Sequence, residues 1–263
     1  MPVVLPNRRE AHIYQFVILG NPKVLGALAS EMPRVIDALR RIDEGRYTDG
    51  ALNILILDGG LNGREVEILR CLRNHLLQLR THYNIETVNQ ALLSNVELTT
   101  AIFRCFNARF DPSLADQREE IVKAARDTVQ AGLEAITSLH DDEILRGLFG
   151  LVNAALRTNA YQKPERAVIS IKFDSRSIPL LPSPKPMFEI AVHSRTIQGV
   201  HLRGGKVARG GIRWSDRHDD FRREVLGLMK TQMGKNAIIV PVGSKGGFVL
   251  KGVLPQRPAL DTY

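Results

Sequence analysis

The 263-residue chain has only two cysteines, Cys71 and Cys105, and both fall in helix-like apolar patterns. A disulfide framework is not expected, and a reducing interior is the expected setting. No apolar run approaches membrane-spanning length and no charged-then-apolar leader opens the chain. A membrane partner is therefore not expected, and the cytoplasm is the expected location. No GxGxxG follows a strand-like run, so no dinucleotide pocket is visible in this sequence. His201 and His218 lack a companion at metal-ligand spacing, and no metal site is expected.

What is present is a globular composition, 44% hydrophobic and 24% charged, in a chain long enough for one large or two modest domains. The formal net charge is +8, and its distribution is uneven. Residues 1–194 carry 23 basic and 23 acidic side chains, whereas residues 195–263 carry 13 basic and 5 acidic ones. The whole excess sits in the last quarter, which points to an anionic ligand held there. Nucleic acid is the less favoured anion. Trp214, Phe221, Phe248 and Tyr263 are the only aromatics of that segment, a sparse set for a stacking platform.

Apolar spacing predicts a mainly helical region over residues 1–160. Helices are expected at Pro22–Ile42, along Val66, Leu69, Leu72, Leu76 and Leu79, and at Val96–Phe106. Two more are expected, from Val122 to Ile136 and through Leu145, Leu148, Val152 and Leu156, with Asp141 and Asp142 suited to the start of the last. The run Ala51–Asp58 reads as a short strand leading through Gly59–Gly63 into a helix. Beyond a boundary near 161–166 the pattern changes to strands at Ala167–Phe173, Phe188–Ser194 and Gly199–Arg203. A helix at Asp219–Met233 and a buried strand at Ala237–Val242, ending in the loop Gly243-Ser244-Lys245-Gly246-Gly247, complete the reading. The expected class is α+β.

Within Arg203–Gly247, the cations Arg209, Lys235 and Lys245 sit beside glycine or asparagine rather than beside acids. Glycine adds no side-chain bulk, so a ligand can approach such a cation closely. Cations of this kind converging on one cleft suit a small molecule with more than one carboxylate. The loop does not fit a P-loop, because glycine follows Lys245 where Ser or Thr is required. Arg213 is expected to pair with Asp216 or Asp219, and Arg222-Arg223 to lie on a solvated face or a subunit contact.

The strings RGGIRW and KNAIIVPVGSKGG resemble the substrate-binding segment of glutamate dehydrogenases, which reads KGGxR, then KN, then PxGGGKGG. The longer text VHLRGGKVARGGIRWSDR, DFRREVLGLMKTQ and GGFVLK resembles more narrowly the large NAD-specific bacterial class. The resemblance implies that Lys245 is the catalytic lysine, activating the reacting water and imine. It implies that Lys235 grips the substrate α-carboxylate, and that Arg209, with Gly210 and Gly211, contacts the side-chain carboxylate where smaller members carry lysine. It implies L-glutamate and 2-oxoglutarate as substrate and product, NAD as cofactor, and a homo-oligomer in full-length form. The family's catalytic aspartate and Rossmann domain lie downstream of the stretch seen here. The expected organisation is thus 1–160 as a helical region and 161–263 as the first part of the catalytic domain, inactive by itself. The runner-up expectation is a non-catalytic dicarboxylate-binding remnant that associates with a full-length subunit.

Overall fold

The computed structural model describes residues 2–4, 10–12, 22–79, 82–163, 167–179, 181, 183, 185–235 and 242–252. Side chains are described from residue 30 onward, except those of 233–235. Short strands β1 (Pro2–Val4) and β2 (Glu10–His12) pair antiparallel. Six helices follow: α1 (Pro22–Asp43), α2 (Gly63–Leu79), α3 (Ile85–Ser94), α4 (Val96–Phe110), α5 (Arg118–Glu134) and α6 (Leu139–Ala154). Then come β3 (Ala155–Thr158), β4 (Ile169–Asp174), β5 (Phe188–His193), β6 (Ile197–Arg203), β7 (Ala208–Arg209), β8 (Ile212–Trp214), α7 (Phe221–Lys235) and β9 (Val242–Leu250). The α+β class holds.

The run Ala51–Ile56 is a 3-10 helix, not the expected strand. Its apolar residues Leu52, Leu55 and Ile56 are buried at helical rather than alternate spacing. Asn53 fixes the bend by donating to the Thr48 carbonyl and accepting from Arg70. The turn after it contains Gly60 at φ 67°, a left-handed conformation that suits glycine. Helix α2 then starts on a reciprocal cap: Asn62 Oδ1 accepts from the Glu65 N–H, and Glu65 Oε2 accepts from the Asn62 N–H. The helix α3, capped by Asn84 Oδ1 on the Thr87 N–H, was not singled out by apolar spacing. Leu156, expected on the last helical face, instead belongs to β3.

The seven-stranded sheet runs β3-β4-β5-β6-β9-β7, with β8 also against β9. Pairing is antiparallel from β3 through β9, whereas β7 and β8 are parallel to β9. Helices α2, α6 and α7 pack on the sheet. Ile169, Ile171, Phe173 and Ala191 share one apolar cluster with α2, α3, α4, α5 and α6, so that cluster runs across residues 161–166. A second cluster joins Phe221, Val225, Leu226 and Met229 of α7 to Val200, Leu202 and Val249. Among the described residues no helix is long and apolar enough to cross a membrane.

Candidate functional site

The segment Gly243–Gly247 is part of a nine-residue strand rather than a loop after one. Most of the expected strand Ala237–Val242 lies outside the described residues. On one edge β9 pairs with β6, placing Lys245 opposite Leu202; on the other, Arg209 stands beside Gly243 and Ile212 beside Gly246. The Gly246 N–H donates to the Gly211 carbonyl over 3.0 Å. Arg209-Gly210-Gly211 therefore runs alongside Gly243-Ser244-Lys245. The pairing requires glycine at 210, because a Cβ there would come 1.5 Å from the Ser244 carbonyl oxygen. At Gly211 a Cβ would meet nothing within 4 Å. Gly210→Ala should therefore lower the melting temperature clearly while Gly211→Ala leaves it near the parent value. Equal melting curves for the two variants would contradict this geometry.

Side chains alternate along a strand, so Lys245 shares a face with Gly243 and Gly247. That face looks at α7: a Cβ on Gly243 would lie 3.3 Å from Gln232, and one on Gly247 2.5 Å from Val225. Lys245 is half-buried there, and Arg209 is exposed. Gln232 Nε2 donates to the Arg209 carbonyl at 3.1 Å, while its Oε1 is buried without a partner. The last turn of α7, which ends at Lys235, is thereby tied to β7. Gln232 was not a sequence candidate; its place three residues before Lys235 was the available signal. Arg213 pairs with Glu224, at 3.3 Å, rather than with Asp216 or Asp219. Among the described residues no group of His, Cys, Asp and Glu could hold a metal. Two clefts lie elsewhere, one lined from Ser94 to Asp141 and one between α2, α3 and His218–Asp220.

Two buried polar relays behind this region were missed entirely by sequence reasoning. In the first, Arg222 is almost fully buried rather than solvated, and its guanidinium grips both oxygens of Glu189, which has no exposure at all. His75 Nε2 stands 3.3 Å from Glu189, and its ring stacks on Phe173 with 4.9 Å between centroids. Burial alone would raise the Glu189 pKa, but the close approach of His75 and the bonds from Arg222 overcome it and hold the carboxyl down at about 2. Gln78 adds a tie, donating to the carbonyls of His218 and Asp219 and accepting from the Arg222 N–H.

In the second relay Glu67 of α2 lies 2.9 Å from His193 Nε2, and Lys251 Nζ is 3.0 Å from His193 Nδ1. Lys251 Nζ also donates to the Ser194 carbonyl at 2.8 Å, and Arg70 and Thr48 donate to Glu67. Burial, with the Lys251 charge, depresses His193 to about 4 despite Glu67. The neutral ring thus donates from Nε2 and accepts at Nδ1.

Because the unfolded imidazole titrates near 6.5, the unfolded state binds more protons between the two values. Stability is then full above about pH 6.5 and falls towards pH 4, by about 3 kcal/mol from His193 alone. Glu189 adds to the loss as pH drops from about 4.3 towards 2. Denaturant midpoints at pH 7, 5 and 4 should fall steadily. A flat profile would show that His193 is not buried neutral.

Sequence comparison agrees with this segment's character. The family model described as "Bacterial NAD-glutamate dehydrogenase, catalytic domain" matches residues 128–261, and that described as "Glutamate dehydrogenase, helical motif 3" matches residues 48–112. The chain belongs to the bacterial NAD-glutamate dehydrogenase family. It is 43% identical over 220 residues to the NAD-specific glutamate dehydrogenase of Halomonas elongata, covering 82% of this chain and 14% of that protein. Identity to the NAD-specific glutamate dehydrogenase of Pseudomonas aeruginosa is 42% over 220 residues, 81% of this chain and 14% of that protein. The Mycobacterium tuberculosis enzyme of the same name is 38% identical over 273 residues, covering 99% of this chain and 16% of its own length. The chain thus spans about one-seventh of the length of these relatives. Both buried relays join the segment matched as helical motif 3 to the segment matched as catalytic domain.

Proposed function

We propose that this chain provides the substrate-binding part of an NAD-dependent glutamate dehydrogenase, which converts L-glutamate to 2-oxoglutarate and ammonia. The observation that carries the reading is the apposition of Arg209-Gly210-Gly211 with Gly243-Ser244-Lys245, with the last turn of α7 tied to the same strand through Gln232. Arg209 and Lys235 hold the two substrate carboxylates; arginine at 209 offers a planar fork where a lysine would offer a point charge. Lys245 polarises the reacting carbon's oxygen or nitrogen and activates the attacking water. NAD, when bound, supplies the hydride acceptor. No strand–GxGxxG–helix turn occurs among the described residues to receive its pyrophosphate, so none of them is assigned to holding it. The same reading extends to a cytoplasmic homo-oligomer, with residues 1–160 as its mainly helical region and 161–263 as the first part of its catalytic domain.

Calorimetric titration of the chain with 2-oxoglutarate tests this reading. Saturable binding is expected, weakened at least about tenfold by Arg209→Ala, the loss of one charge-assisted bond of about 1.5–3 kcal/mol. Glutamate with NAD should give no NADH from this chain alone. The site assignment is overturned if 2-oxoglutarate fails to bind, or if Arg209→Ala binds it unchanged.

A further inference from the structure

Strand β9 carries the proposed catalytic lysine, and it is poorly equipped to choose its own register. Three of its nine residues are glycine, and on the face that meets α7 only Val249 contributes an apolar side chain to the core. Glycine-rich strands specify register weakly, and a slip of one residue turns every side chain to the opposite face. The contact with α7 does not settle the matter. Val225 lies so close that only glycine fits beneath it, and because Gly246 and Gly247 are adjacent that contact accepts either. On the opposite face the slip would bring Lys245 to the place of Gly246, where a Cβ would lie 2.9 Å from Ile212 and 3.1 Å from His201, which opposes the slip from that side. With Gly246 there, Ser244 would take the position of Lys245, and Lys245 would face away from α7.

A further residue that distinguishes the two registers lies just past the strand. The Lys251 backbone N–H donates to the Thr196 carbonyl at 2.8 Å, and its Nζ reaches the Ser194 carbonyl and His193 Nδ1. His193 in turn is held by Glu67 on α2, which Arg70 and Thr48 fix in place. Asn74 of α2 also approaches His193 Nδ1, at 3.2 Å. In the slipped register Leu250 would occupy this position, and an apolar side chain would face His193 and the Ser194 carbonyl. The buried Ser194 carbonyl would be left without that donor and His193 Nδ1 would keep only Asn74, an outcome that costs more than the bond itself contributes.

We infer that Lys251, anchored through His193 to Glu67, is a positioning residue that locks β9 in the register placing Lys245 on the α7 face. The importance of that face rests on the reading of Lys245 given above; the lock itself does not. The relay also gives helix α2 a direct hold on the strand, by a route independent of substrate contact.

Paired cysteines report the register in the chain as it stands. Ile197 is opposite Leu250 in the observed pairing, and would be opposite Val249 after the slip. With Lys251 present, Ile197→Cys/Leu250→Cys should close under mild oxidation and Ile197→Cys/Val249→Cys should not. In the Lys251→Met background the 197–249 disulfide should form at least tenfold faster than with Lys251. Loss of stability alone would lower the melting temperature without moving the bond from 250 to 249. If Lys251→Met does not fold, Glu67→Gln weakens the relay with Lys251 in place, and a smaller shift in the same direction is expected. An unchanged cross-linking pattern in the folded variant overturns the inference, even where 2-oxoglutarate still binds. A shifted pattern in a chain that binds no 2-oxoglutarate supports the lock and sinks only the reading of the site.

Discussion

Lys245→Ala should lower turnover by about 10²–10⁴-fold while leaving the Michaelis constant for glutamate within a few-fold, because an activating group acts mainly on the transition state. The measurement needs a whole enzyme. This segment can be grafted in place of the stretch it matches in the Mycobacterium tuberculosis protein, where the match covers 99% of the chain. In the same graft Lys235→Ala and Arg209→Ala should chiefly raise the Michaelis constant, about 10- to 100-fold, since each removes a charge-assisted bond to a carboxylate. Arg209→Lys should be milder, keeping the charge and losing the fork. If Lys245→Ala weakened glutamate binding and left turnover intact, Lys245 would be a binding residue and no more.

The largest expected effect on stability is that of Arg222→Leu. It leaves the Glu189 carboxylate in a site with no solvent exposure, with only His75, among the described residues, at ion-pair distance. Stranding one member of a buried pair typically costs about 3–5 kcal/mol, against well under 1 kcal/mol for the same change on a solvated helix face. For a chain of this size that corresponds to a fall of roughly 6–20 °C in melting temperature. Adding Glu189→Leu should restore much of the loss, because removing both charges also removes the cost of burying them. A single Arg222→Leu variant that melts like the parent would show that this pair is open to water. The partner change is the informative half, since simple loss of arginine packing would not be repaired at position 189.

These two expectations differ in how far the sequence exposes them. Arg209, Lys235 and Lys245 stand out because their glycine and asparagine neighbours are visible in the string itself. The helices at Pro22, Val96 and Phe221 are legible too, as their apolar residues recur at helical spacing. The relays are not legible. Glu67, Arg70, Asn74, His75 and Gln78 look like the polar side of an amphipathic helix, and the partners of Glu67, Asn74 and Gln78 in His193, His218, Asp219 and Arg222 lie 119–144 residues away. Arg222-Arg223 shows the limit within two residues: the first is buried on Glu189 and the second is exposed, and nothing local separates them. Strand β9 escaped notice for the opposite reason. With glycine at 243, 246 and 247 it has too few side chains to alternate, and only its pairing on both edges makes it a strand.

The position of β9 between β6 and the pair β7 and β8 also dictates an order of assembly. Helices α4 and α5 meet across a short connection and can form early, since local contacts close at little entropic cost. The sheet cannot be completed at that stage. Until the chain has passed through α7 and returned as β9, the whole edge of β6, from Ile197 to Arg203, offers unpaired backbone groups, and β7 and β8 have no strand to lie against. An open edge of that kind is a template for pairing with another chain. During synthesis, the most aggregation-prone species of this protein should therefore be the one whose last turn of α7 is made and whose residues 242–250 are not yet in place.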